Sequence, residues 1–187
     1  MESGDLKIVC YTGGTCGDLL SALIDPTDVE LEFGAISHVM ERQRLKKPHT
    51  FTNHEEKDQY IVSIAEKYLS IPSHDLDYHV LRNHKFIAIT VQDFDVAMWA
   101  AIRFRTMHRP LIWQEMQTKC GASTIEDYAQ MLIHYSNMVV THTVDVVKLE
   151  DILAGQAIES LTTLGINSPH KNFYQDWLDL QNNKFIV

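Results

Sequence analysis

The stretch that most constrains this chain is KIVCYTGGTCGDLLSALID, residues 7–25. An apolar run passes there into a loop of small residues, 12–17, and then into a second apolar run with the character of a helix. Glycine loses more backbone freedom on folding than any other residue, so a glycine cluster indicates a positive φ or a close backbone approach. Because the free N–H groups at a helix start converge on anions, a strand, a glycine loop and a helix in this order predict a phosphate site.

Strand-like and helix-like patterns alternate along the rest of the chain. A helix is predicted to end near residues 70–72, and a β-type run at 86–91 leads into a helix from about 95 to 108. The later patterns predict, in order, a helix, two β-type runs and two more helices, at 124–136, 138–142, 144–148, 157–164 and 172–180. This alternation predicts an α/β fold with a parallel sheet and helices on both faces, in which ligands bind beyond the carboxyl ends of the strands.

Composition limits the class of protein. At 187 residues and 45% hydrophobic content, the chain is expected to form one domain with its own core. A net charge of −9 argues against bulk electrostatic binding of nucleic acid, which leaves a local basic segment at 42–55, predicted to be exposed and mobile, as a candidate contact. Its candidate contact residues are Arg42, Arg44, Lys46 and Lys47, and the alternative for this segment is a solvated helix end.

Three widely spaced cysteines predict free thiols in a reducing compartment. The sequence shows neither a signal-peptide pattern nor an apolar run of membrane-spanning length. We therefore expect a cytoplasmic protein that does not enter a membrane.

The glycine loop does not match the familiar GxxxxGK[ST] phosphate loop. It is shorter, contains no lysine, and is followed directly by Asp18. Three roles stay open for Asp18: a magnesium ligand, a helix cap, and a base toward an acceptor hydroxyl. The structural alternative is a glycine-rich turn in which Asp18 or Thr15 caps the helix. The predicted donor-phosphate site consists of Gly13, Gly14, Thr15, Cys16, Gly17 and Asp18.

Two further stretches carry a resemblance to a known family. SHDLDYHVLRNHKFIAITVQDFDVAMWAAIRFRTMH (73–108) resembles the core of the sulfotransferase-like branch of the P-loop kinase superfamily, where a T-H-L-P-type segment precedes a lysine-led strand, an R-x-P-x-D turn and a long helix. VVKLEDILAGQAIESLTTLGI (146–166) resembles the family's Y-E-D-L element, and GGTCGDLL occupies the place of its short phosphate loop. The resemblance implies a three-layer P-loop-type fold, with a mostly parallel sheet flanked by helices.

The resemblance also implies the catalytic base. The family's base falls on His74, and a histidine can accept the proton of an acceptor hydroxyl at neutral pH. Asp75, the next residue, is expected either to orient His74 or to compete with it for the role.

The departures from the family pattern concern the donor. Gln92 stands where sulfotransferases carry the arginine that grips the 3′-phosphate of 3′-phosphoadenylyl sulfate, and a neutral amide cannot replace a guanidinium there. The implied donor is therefore ATP or GTP with Mg²⁺, for which Asp18 is the candidate ligand. Arg103 is a candidate donor contact, and since Arg103 and Arg105 do not share a helix face, at most one of them is expected to reach the site.

The resemblance of the loop to one group of kinases implies the acceptor. Among kinases of this superfamily, the GGTxGD-type loop most resembles the bacteriophage enzymes that phosphorylate 5-hydroxymethyluracil in DNA. This implies transfer of a γ-phosphate to an acceptor hydroxyl on a flipped or single-stranded base, in the host cytoplasm, with the basic segment as a place to hold DNA. The alternatives are a sulfotransferase that uses 3′-phosphoadenylyl sulfate and a non-catalytic module that binds nucleotides or partners.

Overall fold

The computed structural model describes residues 6–26, 66–73, 85–107, 121–140, 145–167 and 171–184, together with residues 56, 59, 63, 114 and 118. Within these segments the strands are β1 (Lys7–Cys10), β2 (Ser70–Ser73), β3 (Lys85–Thr90) and β4 (Asp145–Lys148). The helices are α1 (Gly17–Ile24), α2 (Phe94–Met107), α3 (Ile125–Val140), α4 (Leu149–Leu153), α5 (Ala157–Thr163) and α6 (Lys171–Lys184). The predicted α/β class is confirmed.

The four strands form one parallel sheet in the order β2-β1-β3-β4. At the end of β1, Cys10 lies opposite Ser73 on one side and Ala88 on the other. Apart from the lysine that begins each of them, β1 and β3 are fully buried and, until Thr90, apolar. Continuous apolar strands of this kind are typical of a parallel sheet, because its strands are covered on both faces.

The order of the strands reverses next to β1. The chain adds β2 on one side of β1 and then adds β3 and β4 on the other side. In open parallel sheets, such a reversal leaves a crevice at the carboxyl ends of the strands, where ligands bind. The glycine loop, which follows β1, and the turn that follows β3 both leave the sheet at this edge.

The prediction that a helix ends at residues 70–72 is wrong, because these residues belong to β2. The strand is only four residues long and contains Pro72. Proline cannot donate a ladder hydrogen bond, so its presence lowers the strand signal of a sequence. The sheet accepts Pro72 because β2 lies at the edge of the described strands.

Helices α2 and α3 pack against each other, and α3 also packs against β3. The helix predicted at about 95–108 is confirmed as α2, which begins after Asp93; the Asp93 carboxylate accepts the Val96 N–H at 3.1 Å. Helix α3 continues to Val140, so the β-type run expected at 138–142 is wrong for residues 138–140. Valine and methionine fit either structure, and the packing of α3 decides for the helix.

The last strand and the last two helices follow the sequence pattern, whereas α4 was not predicted. The run at 144–148 is confirmed as β4, and the last two helices are confirmed as α5 and α6. The basic segment at 42–55 lies outside the described residues. None of the described helices combines the length and the apolar character needed to cross a membrane.

Candidate functional site

The glycine loop joins the end of β1 to the start of α1 at the edge where the strand order reverses. The backbone N–H and the Oγ1 of Thr15 both donate to the carbonyl of Thr12, at 3.1 and 2.8 Å, which closes the loop into a tight turn. The strand, loop and helix therefore occur in the predicted order.

Each glycine of the loop is required by the protein's own packing. Gly14 has a φ of 97°, and a Cβ there would lie 2.5 Å from the carbonyl oxygen of Ala100. A Cβ on Gly13 would lie 2.6 Å from the ring of Phe104, and one on Gly17 would lie 2.1 Å from the ring of Tyr11. The close approach that a glycine cluster indicates is therefore made by α2 and by Tyr11, the residue that follows β1. The glycines alone do not identify a ligand.

The carbonyl groups of the loop are held from the protein side. The Gly13 carbonyl accepts a hydrogen bond from the Tyr128 hydroxyl of α3 at 3.4 Å. The Gly14 carbonyl accepts one from Arg103 Nη1 at 3.4 Å and one from the Cys16 thiol at 3.9 Å. Two helices thus fix the loop through its acceptors.

Three N–H groups of the loop, those of Gly13, Gly14 and Gly17, have no acceptor among the described residues. Gly17 is the first residue of α1, where the helix dipole places partial positive charge. Free N–H groups at a helix start form a ready anion site. The loop therefore has the electrostatic character that phosphate binding needs.

Arg103 of α2 brings a positive charge to this loop. Its side chain is only 6% exposed, and its guanidinium lies 5.7 Å from the centre of the Trp99 ring, in addition to its bond with Gly14. In the part of the chain that the structure describes, no carboxylate forms an ion pair with Arg103. Arg105, two residues later, is exposed, as expected if only one of the two faces the site.

Cys16 is the residue at the N-cap of α1, and no side chain caps this helix. Cys16 has a φ of 64°, in the left-handed region that non-glycine residues seldom adopt. The hypothesis that Thr15 or Asp18 caps the helix is wrong, since Thr15 bonds Thr12 instead and Asp18 is already in the first turn. Burial raises the pKa of the Cys16 thiol, against an opposing effect of the nearby Arg103 guanidinium, so the thiol stays protonated.

Asp18 is 2% exposed, and its carboxylate accepts a hydrogen bond from the Tyr11 hydroxyl at 3.1 Å. A carboxylate in the first turn also interacts favourably with the helix dipole. Among the described residues, no three histidine, cysteine, aspartate or glutamate side chains are grouped so as to hold a metal.

Glu150 is a residue that the sequence analysis did not single out. Its Oε1 accepts the backbone N–H groups of Gln92 and Asp93, at 2.7 and 2.8 Å. These residues form the turn between β3 and α2, so the carboxylate links the starts of α4 and α2. The only signal for Glu150 in the sequence is its place in the LED stretch, which resembles the Y-E-D-L element. The sequence does not indicate that its partner is Gln92, 58 residues away.

The remaining predicted site residues lie outside the described residues. These are His74 and Asp75, which follow the last residue of β2 in sequence, and Arg42, Arg44, Lys46 and Lys47 of the basic segment. The structure brings together the loop residues, Asp18 and Arg103.

Comparison of the chain with protein-family models, with curated proteins and with solved structures gives no match.

Proposed function

We propose that the chain is a phosphotransferase of the P-loop type, which moves the γ-phosphate of a nucleoside triphosphate to an acceptor hydroxyl. The observation that carries the proposal is the buried Arg103 beside the glycine loop, with no carboxylate partner among the described residues. Arginine is seldom buried without a paired charge, because desolvation of an isolated cation is costly. A bound phosphate would provide that charge.

Arg103 also supplies the positive charge that the loop itself lacks. The loop contains no lysine to neutralise the transferred phosphate. A guanidinium binds phosphate with two parallel hydrogen bonds, and Arg103 approaches the same loop from α2. In this proposal the N–H groups of Gly13, Gly14 and Gly17 hold the donor phosphates, and Arg103 takes the place of the missing lysine.

Bound magnesium would supply charge neutralisation of the donor phosphates, and Asp18 is the residue proposed to hold it. His74 is the proposed general base, because the chain leaves β2 at Ser73, on the same edge of the sheet as the end of β1. The resemblance of the loop to the phage enzymes supports 5-hydroxymethyluracil in DNA as the candidate acceptor. The basic segment at 42–55 is the proposed contact with DNA.

The donor is tested by titrating the protein with ATP, GTP and 3′-phosphoadenosine 5′-phosphate, each with and without Mg²⁺. ATP or GTP is expected to raise the melting temperature, by an amount that grows with the ratio of its concentration to its dissociation constant. Mg²⁺ is expected to increase the shift. Tight binding of 3′-phosphoadenosine 5′-phosphate without Mg²⁺ would instead indicate a sulfotransferase. If none of the three binds, the proposed phosphotransferase and the sulfotransferase alternative are both refuted.

Arg103→Met tests whether the buried Arg103 binds the nucleotide phosphates. Arg105→Met is the control on the same helix. Removing a hydrogen-bonded charge is expected to weaken nucleotide binding by roughly 10–100-fold. Without ligand, Arg103→Met should be as stable as the wild type, because methionine fills the buried position without an unpaired charge. Equal nucleotide affinity in the two variants would contradict the role proposed for Arg103.

Catalysis is tested at His74. His74→Ala is expected to lower turnover by about 10²–10⁴-fold and to leave nucleotide affinity nearly unchanged, because proton transfer acts in the transition state. A variant that keeps full activity would exclude His74 as the base and direct attention to Asp75 or Asp18. Asp18→Asn should change the magnesium requirement if Asp18 is a ligand and leave it unchanged if Asp18 is a base.

A further inference from the structure

Glu150 connects two parts of the chain that are far apart in sequence. It is the second residue of α4, directly after β4. One of its oxygens, Oε1, receives the N–H groups of Gln92 and Asp93, which are 58 and 57 residues away. Both distances are below 2.9 Å, the range of hydrogen bonds to an ionised acceptor. The other oxygen, Oε2, is buried and forms no hydrogen bond with the described residues.

The turn held by Glu150 is the start of α2. Asp93 caps this helix twice, because its carboxylate accepts the Val96 N–H at 3.1 Å and its carbonyl accepts the Ala97 N–H at 3.0 Å. Glu150 binds the N–H of the same residue. Asp93 and Glu150 therefore hold the start of α2 together.

Helix α2 in turn forms one wall of the glycine loop. The Ala100 carbonyl and the Phe104 ring lie against Gly14 and Gly13, and Arg103 bonds the Gly14 carbonyl. A shift of α2 would move all three groups together, because they lie on neighbouring turns of one helix.

We propose that Glu150 is a positioning residue for the phosphate site, which acts by fixing the start of α2 and hence the place of Arg103 on the loop. The inference rests on the proposed function, since it requires that the loop binds phosphate. Glu150 acts through the two hydrogen bonds that its Oε1 accepts, and the carbonyl oxygen of an amide can accept the same two bonds. Glutamine should therefore substitute for it, and alanine should not.

The test compares Glu150→Ala and Glu150→Gln with the control Asp25→Ala. Asp25 is also a carboxylate that joins distant parts of the chain through a backbone N–H, that of Leu69 at 2.7 Å, but it follows the end of α1 and meets the residue that precedes β2, at the opposite edge of the sheet. Two quantities are measured for each variant: the melting temperature without ligand and the dissociation constant for ATP with Mg²⁺.

Glu150→Ala is expected to weaken ATP binding roughly tenfold, the effect of losing a group that orients binding residues. Glu150→Gln should stay within about threefold of the wild type, because the amide oxygen keeps both hydrogen bonds. Asp25→Ala should lower the melting temperature, because it removes the acceptor of the Leu69 N–H, and should leave ATP affinity unchanged. Wild-type affinity in Glu150→Ala, or equal losses of ATP affinity in Glu150→Ala and Asp25→Ala, would overturn the inference.

A measurement without ligand separates this inference from the proposed function. Trp99 lies on α2 and packs, partly buried, against the core, so a shift of α2 should change the indole N–H signal of Trp99 in the NMR spectrum. The signal should move in Glu150→Ala and not in Asp25→Ala. If the wild type binds no ATP, the proposed function fails and the phosphate-site role of Glu150 fails with it. An unmoved Trp99 signal would show that Glu150 does not place α2, whatever the ligand.

Discussion

The substitution Gly14→Ala tests the packing of the glycine loop, and its effect can be worked out from two features of the structure. The φ of 97° at Gly14 is unfavourable for a residue with a Cβ, which costs about 1–2 kcal/mol. The new Cβ would also lie 2.5 Å from the Ala100 carbonyl oxygen and 3.2 Å from its carbon. These atoms are part of a helix backbone and cannot rotate away, so the overlap costs about 1–3 kcal/mol.

Together the two effects predict a loss of about 2–5 kcal/mol in the free energy of unfolding. For a chain of this size, that corresponds to a fall of about 4–20 °C in melting temperature. Urea unfolding followed by circular dichroism gives the free energy, and the melting curve gives an independent estimate.

Gly165→Ala and Gly121→Ala are the matched controls. Both glycines have a positive φ, 74° and 69°, but a Cβ at either position would meet nothing within 4 Å. Each control should therefore lose only the backbone contribution of about 1–2 kcal/mol. The difference between Gly14→Ala and the controls isolates the overlap with Ala100. If Gly14→Ala were as stable as the controls, the reasoning that α2 packs on the loop would be refuted.

The packing at Gly14 also limits what a Gly14 variant can show about ligand binding. A substitution at Gly14 should destabilise the loop whether or not it binds phosphate, so loss of nucleotide binding in a Gly14 variant would not identify the ligand. Arg103→Met is the more informative variant, because its expected effect on folding is small and its expected effect on phosphate binding is large.

Three further predictions concern single side chains. Thr90 is 2% exposed and its hydroxyl has no hydrogen-bond partner among the described residues, so Thr90→Val should raise stability by about 1 kcal/mol in urea unfolding; a loss would show that the hydroxyl is bonded. The N–H groups of Thr124 and Ser123 lower the pKa of Asp127, so Asp127→Asn should be less stable than the wild type at neutral pH, and the difference should vanish as the pH falls through that lowered pKa. Burial raises the pKa of Tyr174 from 10.0 to about 12, so its contribution is complete below pH 10 and is lost as the pH rises toward 12; Tyr174→Phe should be less stable at pH 8, and a pH-independent difference would contradict this.

The sequence alone determined the features that depend on local pattern. Apolar runs and helical spacing identified β1, β3, β4 and the described long helices, because burial on a sheet or on a helix face repeats with a fixed period. The placement of the glycine loop between a strand and a helix start followed from the same local pattern. Where a local pattern fits both a helix and a strand, the prediction was wrong. This happened at β2, which contains Pro72, and at residues 138–140, which end α3.

Only the tertiary structure decided how the candidate site is assembled. It selected Arg103 over Arg105, brought Tyr128 to a loop 115 residues away, and used Glu150 to hold the start of α2. It also showed that the three glycines have a reason other than a ligand, namely close contacts with Ala100, Phe104 and Tyr11. The physical cause is that contacts between distant residues depend on how whole helices pack on the sheet. No local pattern in the sequence encodes that packing.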